Sequence, residues 1–301
     1  MNRYHITLLA VLLAPTSVLA KGHPIKIGFY NVLNLFDVFD DPYTADEGTP
    51  IKSRNQIQLL AQVIQRLDAD VLGLCEVENQ HVLKAMVTEF LPEMGYEFIA
   101  VPESNSKRGI KLGLLSRCPI ISITSYRWKK WQHKDAPHWW RFARDLMHAR
   151  VQAKGQVIDV FVVHLKSKRG SKGDPKSVAW RTAEAAEARR IIEDLLAEDP
   201  NRLLALIGDF NSTPEEPATR SLLVPDESGQ PVLVDLHAEL PFAQRITRYG
   251  KKYPSEILDF ILASPALAAR HVSGSAEVFA PEPITQGSDH MAIAATFALN
   301  P

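Results

Sequence analysis

"LMHARVQAKGQVIDVFVVHL", Leu146 to Leu165, decides the fold. Two runs rich in Val, Ile, Leu and Phe face each other across only Lys154-Gly155-Gln156. So short a connection makes them an antiparallel hairpin. Other strand-like runs flank this hairpin: "IKIGFYNV", "ADVLGLCEV", "YEFIAV", "LGLLS" and "PIISITSY" before it, "RLLALIGDF", "ILDFILAS" and "MAIAATFAL" after it. Most are short, apolar and bounded by Gly, Pro or polar residues. Helical patterns interleave with them. Ser53 caps a segment in which Ile57, Leu60, Ile64 and Leu67 recur at helical spacing, Val82 to Phe90 reads as a second helix, and Ser177 to Leu196 as a third. Strands alternate with helices while hairpins intrude, which predicts two packed sheets with helices outside rather than one parallel sheet.

The strand ends carry the chemistry. "FYNVLNLF" places Asn31 at the first, "LCEVEN" places Glu76 at the second, and "VVHLKSKRG" places His164 at the end of the hairpin. "LLALIGDFNSTPEEP" closes a buried strand with Asp209 and Asn211, both poor strand formers. Phe210 between them points the other way by alternation, so both polar groups aim at one mouth. Asp259 lies inside "ILDFILAS", and Asp289-His290 precede the last strand in "GSDHMA". Each feature alone has a structural explanation as a turn residue, a solvated carboxylate or a satisfied histidine. Six such ends together are not explained by packing. Asp259, among Leu258, Phe260 and Ile261, needs a partner because an unpaired buried charge is very costly, and His290 is the natural candidate.

The chain has 301 residues, and the first twenty, "MNRYHITLLAVLLAPTSVLA", read as a leader. They have a basic start, an apolar stretch from Ile6 to Ala14 too short to span a bilayer, and the small-x-small ending Val18-Leu19-Ala20. The expectation is a signal peptide over 1–20, a single folded domain over 21–301, and a secreted or periplasmic location. No transmembrane segment and no obligate protein partner are evident. Without Arg3 the chain holds 33 basic and 35 acidic side chains, so any polyanion is drawn by local patches and not by net charge. Cys75 and Cys118 are the two cysteines; a disulfide and two buried thiols are both compatible with their setting. Neither belongs to a Cys/His cluster of zinc-site spacing.

"YNVLNLF", "GLCEVEN", "VVHLKSKRG", "GDFNSTP", "ILDFILAS" and "SDHMA" resemble, in order, the successive motifs of the endonuclease/exonuclease/phosphatase superfamily. That group includes deoxyribonucleases, abasic-site endonucleases, sphingomyelinases and inositol-phosphate phosphatases. One such motif is weak and six in order are specific; they span Asn31 to His290. The resemblance implies an α/β fold, a four-layer α/β/β/α sandwich of two mixed sheets flanked by helices. It also implies a divalent-metal site with Glu76 as leading ligand and Asn31 and Asp289 in support. Mg²⁺ suits this oxygen set, with Mn²⁺ or Ca²⁺ as alternatives. By resemblance, Asp209 orients or activates the attacking water while Asn211 holds it or a phosphoryl oxygen. His290, paired with Asp259, acts on the phosphate or as general base, and His164 donates to a phosphate oxygen or assists the leaving group. Arg144 corresponds to a phosphate-contacting Arg, with Arg141 as the fallback, and Lys166 joins the phosphate contacts. The chain departs from the pattern at "GIKLGLLS", where many nucleases of the group carry a phosphate-contacting Tyr and this chain has Lys111.

Basic loops bear on the substrate. Lys107 to Lys134 contains eight Lys or Arg and no acid, and Lys166 to Lys176 adds five against Asp174. "RWKKWQHKDAPHWWRF" interleaves Trp128, Trp131, Trp139 and Trp140 with bases, a combination that can stack on nucleobases and hold a backbone. The expected substrate is nucleic acid, DNA first, cut by an endonuclease. The alternatives are a phosphomonoester or a phospholipid head group, with the tryptophans at a membrane interface, and an inactive nucleic-acid-binding module.

Overall fold

The computed structural model describes residues 24–132, 139–170, 173–250, 254–279 and 287–299. The expected leader, residues 1–20, lies outside the described residues, as do residues 133–138 of the tryptophan stretch and residues 171 and 172 of the second basic loop. In chain order the first half holds β1 (Ile25–Leu35), α1 (Arg54–Leu67), β2 (Val71–Val77), α2 (Gln80–Phe90), β3 (Phe98–Ala100), β4 (Lys111–Ser116), β5 (Ile120–Ser125), β6 (Trp131–Gln132) and β7 (Trp139–Trp140). There follow β8 (Leu146–Ala153), β9 (Gln156–His164), α3 (Val178–Glu198), β10 (Leu203–Asp209), α4 (Pro217–Leu223), β11 (Val234–Asp235), β12 (Asp259–Ala263), α5 (Pro265–Ala268), β13 (Glu277–Phe279) and β14 (Ala292–Phe297).

Two six-stranded sheets result, ordered β13-β14-β1-β2-β4-β3 and β11-β12-β10-β9-β8-β5. Each has one parallel pair, β1 with β2 and β9 with β10, among antiparallel neighbours. The opening hairpin forms as expected, β8 pairing with β9 from Leu146↔Val163 to Ala153↔Gln156. All ten strand-like runs become strands. The four remaining strands were not legible, each being two or three residues long: β6 and β7, which pair with each other as a separate two-stranded sheet, and β11 and β13.

Between the sheets lies an apolar core including Ile27, Phe29, Cys75, Leu114, Val160, Val162, Ile207, Ile261 and Ile293. Gly73 permits this close approach, since a Cβ there would fall 2.6 Å from the Ile207 side chain. On the outer face of the first sheet, Leu60, Ile64 and Leu67 of α1 and Leu83 and Met86 of α2 pack on Tyr30, Leu72 and Leu74. On the second, Ala185, Ala188, Ile191 and Ile192 of α3 cover Phe161, Leu204, Leu206 and Phe260. The layers are therefore α/β/β/α. α1 starts in a capping box, with Ser53 Oγ accepting from Gln56 N and the Gln56 side chain accepting from Ser53 N. α3 is capped differently: Asp174 accepts from Val178 N at 2.7 Å and Trp180 N at 3.2 Å. Both cysteines are free and buried.

Candidate active site

Side-chain alternation carries the inter-sheet core to a polar end. Residues two apart on a strand share a face, so Asn31 follows Ile27 and Phe29, His164 follows Val160 and Val162, and Asp209 follows Ala205 and Ile207. Asp259 precedes Ile261 and Ala263 on the same face of β12. On the second sheet the polar residues also share a register row: His164 pairs with Asp209, and Asp209 with Asp259. The apolar sandwich thus ends in one layer of polar groups at a single rim.

Glu76 reaches that rim by another route. The β2–β4 ladder shifts register between Cys75 and Val77, and Glu76 between them has φ 64°. A bulge of this kind re-aims a side chain, and the left-handed backbone costs about 1 kcal/mol or more in a non-glycine residue. Asn34 N donates to Glu76 Oε2 at 3.1 Å.

Asp209 is the hub. Asn31 Nδ2 donates to its Oδ2 at 3.1 Å, and Asn211 N donates to its Oδ1 at 2.8 Å. His164 Nε2 lies 3.5 Å and His290 Nε2 3.8 Å from the same Oδ2. His290 Nδ1 donates to Asp259 Oδ2 at 2.7 Å, which leaves Nε2 facing Asp209. The expected Asp259–His290 pair therefore forms. Asp259 is braced by its own backbone, since Thr247 Oγ1 accepts from Leu258 N and Asp259 N.

Burial pushes the Asp209 carboxyl up to about 6, the nearby Asp259 adding to it against the His290 charge and the bonds from Asn211 and Asn31. Burial opposes a charge on His290, but Asp259, Asp209 and Asp289 outweigh it and lift the imidazole to about 10. Burial, with Arg144, His290 and Arg108 nearby, holds His164 well below the usual histidine range, so it is neutral. Two histidines in one layer thus carry different charges.

A cavity of about 650 Å³ opens over this layer, lined by Glu76, His164, Asp209, Asn211, Asp289 and His290. Arg108, Arg144, Lys168, Arg169, Lys176 and Arg248 ring it. Asn211 Nδ2 donates to Leu165 O at 3.1 Å, and Arg144 Nη1 to the same carbonyl at 2.9 Å. Glu184 of α3 receives Ala143 N and Lys166 N, each at 2.6 Å, and so fixes the two loops beside the cavity.

Two expected phosphate contacts do not reach it. Lys111 is 9% exposed and its Nζ lies 3.3 Å from Glu103 Oε1, away from the cavity lining. Lys166 Nζ donates to Arg169 O at 2.9 Å and stands 5.7 Å from the Trp180 ring centroid. Arg141, the fallback for Arg144, is exposed and does not line the cavity. The tryptophans divide. Trp131 packs edge-on against Phe142 and Trp140 against Trp180, while Trp128 and Trp139 are 64% and 65% exposed.

Sequence spacing missed Lys52 and Arg248. Buried Lys52 donates to Gly287 O at 2.6 Å and is lowered to about 8 by burial, against the pull of Glu76 and Asp289. Arg248 Nε lies 3.5 Å from Asp289 Oδ2. Neither belongs to an apolar run or motif, so only the tertiary fold reveals them. The fold also brings Cys75 within 4.8 Å of ligand atoms on His164 and Asp209, which spacing along the chain had not suggested. Burial pushes its thiol well up, and the side chain packs in the core between the sheets.

The donor set suits a hard cation. Glu76 and Asp289 supply carboxylates, Asn31 supplies an amide oxygen that also accepts from Leu33 N at 3.0 Å, and Asp289 Oδ1 is buried without a hydrogen-bond partner among the described residues. All are oxygens, as Mg²⁺ prefers.

Residues 26–295 match the model of the Endonuclease/Exonuclease/phosphatase family. Among solved structures, the human Nocturnin catalytic domain with bound sulfate anion has a TM-score of 0.66 at 17% identity, covering 92% of this chain and 95% of that one. D. rerio TDP2 complexed with single strand DNA product gives 0.61 at 17%, covering 92% and 99%. An endonuclease/exonuclease/phosphatase family protein from Leptotrichia buccalis gives 0.60 at 16%, covering 91% and 100%. No curated protein matches the chain in sequence.

Proposed function

The chain belongs to the endonuclease/exonuclease/phosphatase family, whose members hydrolyse phosphate esters, and on that premise we propose that it is an exported, Mg²⁺-dependent endonuclease acting on DNA. The observation that carries this reading is the Asp259–His290–Asp209 array set beside Asn31, Glu76 and Asp289 under a ring of cationic side chains. Binding alone does not call for such an array.

Glu76, Asn31 and Asp289 would hold the cation, which when bound polarises a phosphoryl oxygen and offsets its charge. Asp209 orients the attacking water and takes its proton, with Asn211 and Asn31 fixing the carboxylate. A base raised toward neutrality is better matched to this task than an ordinary aspartate. His290, held charged by Asp259, offers Nε2–H to a phosphoryl oxygen. Neutral His164 donates an N–H hydrogen bond to a second phosphoryl oxygen or to the leaving oxygen, which takes its proton from solvent. Arg144 adds a charge-assisted contact to the phosphate. A second reading, hydrolysis of a phospholipid head group, draws on exposed Trp128 and Trp139.

The test is a substrate panel of supercoiled plasmid, a nitrophenyl phosphomonoester and sphingomyelin vesicles, each with Mg²⁺ or EDTA. Metal-dependent nicking of the plasmid is expected. Turnover of the small ester or of sphingomyelin alone would replace DNA as the substrate. Tight DNA binding with no turnover anywhere would make the chain a binding module. Export is tested by expressing the full chain with its own leader and sequencing the mature N-terminus, which is expected near Lys21.

A further inference from the structure

The loop that follows β1 concentrates negative charge. Asp37, Asp40, Asp41, Asp46 and Glu47 stand in eleven residues without a Lys or Arg, in a chain whose overall charge is nearly balanced. The loop folds back so that one carboxylate oxygen from each of Asp40, Asp46 and Glu47 lies within 4.8 Å of the others. Like charges so close repel.

A second observation points to a ligand. Asp46 is only 7% exposed, and its Oδ1 is buried with no hydrogen-bond partner among the described residues. Its Oδ2 meets only Asp41 N, at 3.4 Å. A buried carboxylate oxygen left unpartnered is costly, and a cation repays that cost together with the repulsion.

We propose that Asp40, Asp46 and Glu47 form a calcium site distinct from the cavity over Asp209. Calcium accepts six to eight oxygens in flexible geometry, and three carboxylates, each able to bind through one or both oxygens, supply much of that shell with water completing it. Magnesium, which demands near-ideal octahedral geometry, suits a loop of this kind less well. The loop is anchored to the neighbourhood of the cavity. Ala45 N donates to Lys107 O at 2.7 Å, and Asp37 receives Asn79 Nδ2 at 2.9 Å on Oδ2. Arg108, next to Lys107, lines the cavity and donates to Asn34 Oδ1 at 3.1 Å. Calcium would therefore order a rim segment that touches the cavity without supplying a reacting group.

The test uses the purified chain carrying Glu76→Gln, which weakens the proposed catalytic metal site, stripped with EDTA and titrated calorimetrically with Ca²⁺. One calcium is expected to bind, and to protect the 37–50 segment from limited proteolysis. Asp46→Asn, and separately the exposed pair Asp40→Asn with Glu47→Gln, are each expected to weaken binding at least tenfold and remove the protection. The exposed pair keeps the test decisive if the buried Asp46 variant folds poorly. Unchanged calcium affinity in the exposed-pair variant, or no calcium bound by the Glu76→Gln chain, overturns the proposal.

Discussion

At the scale of single residues, the site rests on where alternation puts a side chain. Asp209, His164, Asp259 and Asn31 were legible because each continues an apolar row whose other members pack between the sheets. Their convergence needed only the strands to end at a common rim. Lys111, Lys166 and Lys52 were not legible in this way, since a long side chain's direction depends on partners distant in sequence. Lys111 turned to Glu103, and Lys52 to Gly287. A matched pair of substitutions checks this. Arg144→Ala is expected to cost about 1.5–3 kcal/mol, roughly 10- to 100-fold in kcat/KM, as for a lost hydrogen bond to a charged group. Lys111→Ala is expected to stay within about twofold of the parent, because a partly exposed ion pair contributes little. Steady-state kinetics on the substrate that is turned over reads both, and equal losses would place Lys111 at the phosphate after all.

At the scale of elements, long apolar runs were readable and two devices were not. The bulge that turns Glu76 toward the rim leaves no mark in the composition of "LCEVEN", because it arises from the register shift of β2 against β4. The cap of α3 comes from Asp174, whose two carboxylate oxygens take the first amides, whereas α1 uses the Ser53 box that its sequence announces. Ser53→Ala is expected to cost about 1 kcal/mol, seen as a melting point lowered by about 2 °C, with turnover unchanged. The turn after β11 carries a pH response. His237 is buried with Nε2 3.1 Å from Glu277 O, and burial lowers it to about 4 from an ordinary 6.5. The folded state therefore favours the neutral ring, while the unfolded chain takes up a proton near 6.5. This contribution is full above pH 6.5 and is lost as pH falls toward 4, by up to about 3 kcal/mol. The melting point of the parent is expected to fall more steeply between pH 7 and 4 than that of His237→Gln. Parallel curves would refute the assignment.

At the scale of the whole molecule, two sheets closed by helices leave one rim where strand ends from both sheets meet, and the cationic ring stands around that rim. The described residues include no helix long and apolar enough to cross a membrane. With a formal net charge of −1, attraction for a polyanion comes from local side chains, of which Lys168 and Arg248 are already shared with Glu256. If about four cations contact phosphates, affinity for DNA falls roughly 100-fold between 50 and 200 mM salt. A binding titration in the presence of EDTA measures this, and a flat response would remove the ring from substrate recognition. The central claim is that the strand-end layer hydrolyses phosphodiesters with a metal, and plasmid nicking by Asp209→Asn beside the parent chain, with Mg²⁺ and with EDTA, tests it most directly. The expected result is Mg²⁺-dependent nicking by the parent, abolished by EDTA, and a loss of about 10²- to 10⁴-fold in the variant with an unchanged circular dichroism spectrum. Nicking that persists in EDTA, or an Asp209→Asn chain as fast as the parent, would contradict it.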